Sequence, residues 1–238
     1  MTNLCSEMKG RIIRAEPPTR LPLPIVGKIK CGRKSEAGYP QSVDWFIASG
    51  KYEGLFHKAY GEKPSTIRIV FPSDDASLVC REEYEYRDDA GKLVATGDGE
   101  TFRVWNGREY GAYSTEEHPG LMEGIARKTT SKTGWQVTLT LVFVIPEVQG
   151  IMGCWQFRTK GAASTIPSVR DTFDSLLQTN GKVAGVIFDL SVHFAKSQHP
   201  GASSRYPVVT LTPNESKENL EKIMEARKPI MLEEKFAE

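Results

Sequence analysis

Two sets of residues in this sequence carry types and spacings that could do chemistry. The first is acidic, Asp74-Asp75 together with Gly97-Asp98-Gly99-Glu100. Carboxylates flanked by glycines can gather the oxygen ligands that Mg²⁺ or Ca²⁺ requires, and a metal-dependent hydrolase would use them so. Their spacing does not fit the twelve-residue calcium loop. A tight acidic turn between strands accounts for the same residues, so the expectation is no metal and no cofactor. The second set is basic. Lys28, Lys30, Arg33 and Lys34 cluster at one predicted strand end, Arg158 and Lys160 stand at another, and Lys196 and Arg205 bracket a loop. Cations that converge touch phosphates in a salt-dependent way without reading base sequence, and the first four are the candidate nucleic-acid contacts. Arg158 and Lys160 lead directly into Gly161, Ala162, Ala163, Ser164 and Thr165. Those small residues let another backbone approach, and a helix start there offers N–H groups to a phosphate or a partner carboxylate. An ordinary strand–helix joint with two solvated cations is the competing explanation.

No residue set supports catalysis. His57, His118, His193 and His199 share no short ligand spacing, and no nucleophile elbow, zinc-protease, phosphate-loop or dinucleotide motif is present. Cys5, Cys31, Cys80 and Cys154 lack C-x-x-C spacing, and a chain of 238 residues needs no disulfide framework, so reduced thiols are expected. Hydrophobic content of 39% with 26% charged residues is ordinary globular composition. The net charge of +1 hides an asymmetry. Residues 1–34 hold eight Lys/Arg against two Glu, whereas residues 74–100 hold nine acidic residues against three basic. No apolar run approaches a membrane span, and no signal-peptide pattern opens the chain, which points to a cytoplasmic protein.

The elements that must position these residues are mostly strands. Residues 1–20 read as a flexible basic arm, and residues 21–212 as a single β-rich domain with an acidic, strand-rich section at 74–134. Leu21 to Cys31, punctuated by Pro22 and Pro24, reads as an edge strand. Val43 to Ile47 and Thr66 to Phe71 are strands, separated by a helix over Lys51–Tyr60 with Tyr52, Leu55, Phe56 and Tyr60 inward. Leu78–Tyr86 and Lys92–Thr96 pair next. Thr101–Trp105 meets Arg108–Tyr110 across Asn106-Gly107, a strong hairpin signal. Ser114-Thr115-Glu116-Glu117 looks like a capping box for a helix to Lys128. Trp135–Ile145 is apolar enough for the centre of a sheet.

The stretch Gly150–Leu177 then gives a strand, a corner and an amphipathic helix. Ser164 or Thr165 is placed at its N-cap, Ile166, Val169, Phe173, Leu176 and Leu177 on its stripe, and Asn180-Gly181 at its end. Val186–Phe194 alternates with Phe188, Leu190, Val192 and Phe194 on one face, and Tyr206–Leu211 is the last strand. Residues 213–238 hold a terminal helix to Arg227 and a tail. The fold class expected is α+β, predominantly antiparallel and possibly barrel-like, with three or four helices.

The order of a Trp-bearing strand, a small-residue corner, a helix, an alternating strand and a basic loop into Arg205-Tyr206-Pro207-Val208-Val209 resembles the Gp3-like recombination directionality factors. The run from Pro24-Ile25-Val26-Gly27 to Tyr39-Pro40-Gln41-Ser42-Val43-Asp44-Trp45-Phe46 resembles the opening of that family. The likeness covers roughly residues 20–72 and 150–212. It implies a non-enzymatic regulator that binds a phage large serine integrase on attachment-site DNA and replaces integration by excision. Partner contacts would then lie at Arg158–Thr165, at the loop bounded by Lys196 and Arg205, and on the terminal helix. A phage single-strand DNA-binding or replication accessory protein is the other reading of the basic residues, with Trp45, Trp105 and Trp155 as candidate stacking platforms.

Overall fold

The computed structural model describes residues 21, 23–88, 90–118, 134–196 and 205–214. Eleven strands and three helices are found there: β1 (Ile25–Lys34), β2 (Pro40–Ser49), α1 (Glu53–Tyr60), β3 (Thr66–Val70), α2 (Ala76–Val79), β4 (Cys80–Arg87), β5 (Leu93–Gly97), β6 (Thr101–Trp105), β7 (Tyr110–Ser114), β8 (Gly134–Phe143), β9 (Cys154–Thr159), α3 (Thr165–Asn180), β10 (Ile187–Lys196) and β11 (Arg205–Pro213). The predicted arm, the helix beyond His118 and the terminal helix lie outside the described residues.

The class is α+β, as the strand-rich pattern implies. Eight strands form one sheet in the order β2-β1-β9-β8-β4-β5-β6-β7, and three form a second in the order β11-β10-β3. Every pairing is antiparallel except β1 with β9. The large sheet is open, with β2 and β7 at its ends, so the barrel-like option is not realised. Its apolar face is covered instead by the second sheet and the helices. One core joins Ile29, Phe46, Leu139, Leu141, Phe143, Trp155 and Phe157 of the large sheet to Ile67, Ile69, Phe188, Leu190 and Leu211 of the small one. A bridge between Val70 and Val144 ties the sheets together, with N–H···O distances of 2.9 and 2.8 Å.

Alternation makes these strands two-faced. In β10, Phe188, Leu190 and Val192 are buried, as their spacing predicts. β8 lies between β9 and β4, with Leu139, Leu141 and Phe143 fully enclosed, again as its composition predicts. β1 is not an edge strand. Pro22 and Pro24 precede its ladder, leaving Ile25 onward free to pair with β2 and β9, while the Pro24 carbonyl accepts from Cys154 N–H at 2.8 Å. In α1 only Phe56 is buried, and Leu55 faces solvent. The hairpin at Asn106 is also longer than predicted. Trp105 pairs with Tyr110, and Asn106 Oδ1 accepts from Arg108 and Glu109 N–H to hold the four-residue connection.

α3 buries Ile166, Val169 and Phe173 against the core, with Phe173 edge-on to Phe71 at 5.1 Å. Gly181, at φ 66°, stops it in the left-handed conformation that glycine accepts without a Cβ penalty. The expected hydroxyl cap is absent. Ser164 occupies the N-cap position without a side-chain hydrogen bond, and the Thr165 hydroxyl accepts from Val209 N–H at 3.1 Å. Thr165 therefore fastens the helix to β11.

Candidate functional site

The pairing of β1, β9, β8 and β4 decides which charged residues meet. Lys28 stands beside Gln156, and Gln156 beside Val142. One alternation further, Arg158 stands beside Thr140, and Thr140 beside Arg81. Glu85 lies between Gln136 on β8 and Thr96 on β5. Since paired residues point the same way, all of these occupy the outer face of the large sheet, away from the core. Ile29 and Phe157 alternate to the buried side.

The result is a cleft of about 460 Å³ on that face, lined by Lys28, Lys30, Arg87, Gln156, Arg158 and Lys160 among others. Five cations face it, and one buried carboxylate, Glu85, reaches two of them. Glu85 Oε2 accepts from Arg87 Nε at 3.3 Å and Nη2 at 3.1 Å, and Oε1 accepts from Arg158 Nη2. Lys160 Nζ donates to the neutral Gln136 Oε1. Burial, followed by the guanidiniums of Arg87 and Arg158, holds the Lys160 ammonium below its ordinary value. Burial likewise lowers Arg158, with Glu83 opposing and Arg81 adding to the shift. This is a group of cations short of negative charge. On the same face but outside the cleft lining, Thr138 Oγ1 and Thr96 Oγ1 are buried with no partner among the described residues.

The structure regroups the sequence candidates. Lys28 and Lys30 join Arg158 and Lys160 in one cleft, although the sequence reading assigned the pairs to different partners. Arg33 and Lys34 are separated from them by the register shift between Lys30 and Gly32. Arg33 donates to Gln41 Oε1 at 3.1 Å and lies 5.8 Å from the Trp45 ring, which Lys63 approaches at 5.1 Å. In the corner, Ala162 and Ala163 are exposed, Gly161 and Ser164 half-buried, and Thr165 buried. Ala162 N–H donates to the Lys160 carbonyl, while Ser164 and Ile166 N–H donate to that of Gly161. The Ala162, Ser164 and Ile166 amides are thus engaged within the corner itself. Lys196 and Arg205 pair across β10 and β11, Arg205 resting 5.3 Å from the Phe194 ring, and residues 197–204 lie outside the described residues.

Arg87 and Glu85 are not apparent from the sequence because Arg158, which joins their pair, is 73 residues from Glu85 along the chain. A signal was present. Arg81, Glu83, Glu85 and Arg87 alternate with Glu82, Tyr84 and Tyr86, a strand with one charged face. Trp155 is buried in the core, so it offers no stacking platform, whereas Trp105 is exposed beside Tyr110 at 5.2 Å.

The acidic candidates serve as caps. Asp98 Oδ1 accepts from Glu100 and Thr101 N–H at 2.9 and 2.8 Å, and these amides draw its pKa down. Asp74 Oδ1 accepts from Val183 and Ala184 N–H, both at 2.6 Å, tying the chain before α2 to the segment before β10. Asp75 caps α2 through Ser77 N–H. Among the described residues no group of three or more His, Cys, Asp or Glu is placed to hold a metal ion. Burial pushes the Cys31 and Cys80 thiols up to about 12, away from nucleophilic behaviour at neutral pH. No described helix is long and apolar enough to cross a membrane.

Comparison with known proteins agrees with the likeness carried by the β1–β2 and β9–α3–β10–β11 segments. No curated protein and no solved structure matches the chain. The model of the Gp3-like family, described as recombination directionality factor-like, matches residues 26–214 and so takes in every strand that builds the cleft. On that match, which spans most of its length, the chain belongs to the Gp3-like family of recombination directionality factor-like proteins.

Proposed function

We propose that this protein is a recombination directionality factor that binds a large serine integrase on attachment-site DNA and turns it from integration to excision. It does so in the bacterial cytoplasm and without chemistry of its own. The observation that carries the reading is the family match over residues 26–214. The physical mechanism is population shift. A factor that binds the excision-competent arrangement of the integrase more tightly than the inhibited one moves the equilibrium by that difference. A few kcal/mol suffices for a useful switch, and about 5.5 kcal/mol carries a two-state equilibrium from 1:99 to 99:1.

The contact surface for the integrase is the exposed part of the corner, Ala162 and Ala163, together with the Lys196–Arg205 end of the β10–β11 pair. The two alanines present no side chain that would keep a partner helix at a distance. The cleft gives this reading a second advantage over the single-strand binder. None of its described lining residues is aromatic, whereas sequence-tolerant binding of single strands relies on aromatic stacking platforms.

The test is in vitro recombination with the large serine integrase encoded nearest to this protein. Addition of the protein should start recombination between excision sites and suppress recombination between integration sites. Ala162→Gln, at an exposed position, should leave the thermal midpoint unchanged. It should weaken the supershift of integrase bound to attachment-site DNA by about tenfold, the equivalent of 1.4 kcal/mol. An integrase whose choice of sites is indifferent to the protein would refute the role. A folded Ala162→Gln variant that supershifts at parent affinity would remove the corner from the contact surface.

A further inference from the structure

We propose that the outer-face cleft is a contact site for the phosphodiester backbone of duplex DNA, with Lys28, Lys30 and Lys160 as the phosphate-binding groups. This deepens the regulator reading by giving the factor a hold on DNA of its own, independent of the integrase.

Three observations support it. Lys28 and Lys30 are exposed on one strand face and make no ion pair among the described residues. Among the described residues, Lys160 donates to the neutral Gln136 amide oxygen and makes no ion pair. The guanidiniums behind these lysines are fixed by Glu85, so they contribute field without swinging out to other partners. Lysine ammoniums are point charges that suit phosphate oxygens.

Duplex DNA fits the cleft better than an acidic protein segment does. Protein interfaces draw their affinity from buried aromatic and apolar anchors, and among the described lining residues the one apolar side chain, Ile29, is turned into the core. Phosphate contact needs no such anchor, only cations placed to release counterions. The described lining holds no aromatic residue for base stacking, which favours backbone contact independent of sequence. Repulsion among Lys160, Arg87 and Arg158 gives the site a reason to take an anion, because a phosphate relieves it.

The experiment is fluorescence anisotropy of the full chain with a short labelled duplex of arbitrary sequence, titrated across salt. Three phosphate contacts set a log–log salt slope of about −2.7, which is a loss of roughly 40-fold in affinity between about 50 and 200 mM salt. The double variant Lys28→Glu/Lys30→Glu changes exposed residues only and should fold as the parent does. It should flatten the slope to about −1 and weaken binding at low salt by at least about tenfold. Lys58→Glu is the control, on α1, whose Phe56 packs against Trp155 on the opposite side of the sheet. It should leave both quantities unchanged. The proposal is overturned if the parent does not bind duplex at low salt, if the double variant binds as the parent does, or if Lys58→Glu weakens binding equally. A double variant that loses the integrase–DNA supershift while the parent never binds DNA alone would assign the cleft to integrase carboxylates and overturn it too. No integrase is needed for the DNA titration, so this proposal and the regulator reading stand or fall separately.

Discussion

Glu85 is the residue on which the cleft depends. Its side chain is 7% exposed, while those of Arg87 and Arg158 are 23% and 39% exposed. A carboxylate so enclosed is tolerable only when paired and hydrogen-bonded, and here two guanidiniums supply both. Glu85→Gln keeps the shape but takes away the carboxylate that Arg87 and Arg158 share, leaving them and Lys160 to repel one another, with Glu83 acting on Arg158. Breaking a fully buried pair costs about 3–5 kcal/mol, and partial exposure of Arg158 reduces this, so a loss of about 2 kcal/mol in urea unfolding is expected. The same variant should bind duplex DNA more tightly, because a competing carboxylate has gone. Stability equal to the parent would mean that water already screens the triad. Lower DNA affinity in a folded variant would mean that the guanidiniums need Glu85 to hold them in place.

At the scale of elements, the parallel pairing of β1 with β9 sets the cleft's geometry, and its closeness depends on Gly27. A Cβ added there would lie 2.3 Å from Cζ3 of Trp155, whose ring is buried and cannot withdraw. Gly27→Ala must therefore displace either the indole or the strand. Overpacking of this kind costs about 1–3 kcal/mol, and it should be visible both in thermal melting and in the near-ultraviolet dichroism of the tryptophans. Because Lys28 is the next residue and pairs with Gln156, DNA affinity should fall with it. An alanine variant with parent stability and an unchanged aromatic spectrum would show that the two strands can separate at no cost.

At the scale of the whole molecule, the large sheet is supported unevenly. β8 and β9 lie within the main core, whereas Ala95 and Phe102 of the β5–β7 meander are buried outside it, Phe102 packing on Trp135 at 5.2 Å. Elements with fewer shared apolar contacts open at lower free energy than the core does. Amide hydrogen exchange should accordingly be slowest at Leu139–Phe143 and faster by at least about tenfold in β6 and β7. Uniform protection across the sheet would make the meander part of a single cooperative unit with the core.

The sequence by itself determined the α+β class, the central place of β8, the alternating faces of β10, the stripe and glycine stop of α3, and the order of segments that carries the family likeness. These are local properties, readable because period, turn chemistry and composition act over a few residues. It also placed Asp98 in a turn, since a carboxylate beside glycine and followed by strand residues has its own amides within reach. Only the tertiary structure decided what the charged residues do. Lys28 meets Arg158 because β1 adds to β9 in parallel, a pairing between segments more than a hundred residues apart. Arg87 and Glu85 enter the same cleft because β4 lies across β8, and nothing near them in the chain reports that neighbour. Arg33 and Lys34 part from Lys30 at a register shift whose position depends on how β2 packs. Thr165 turned from a cap into a clasp because β11 brought an amide to it. Strand order is settled by which apolar faces can be buried together, a condition on the whole chain that no single stretch of it contains.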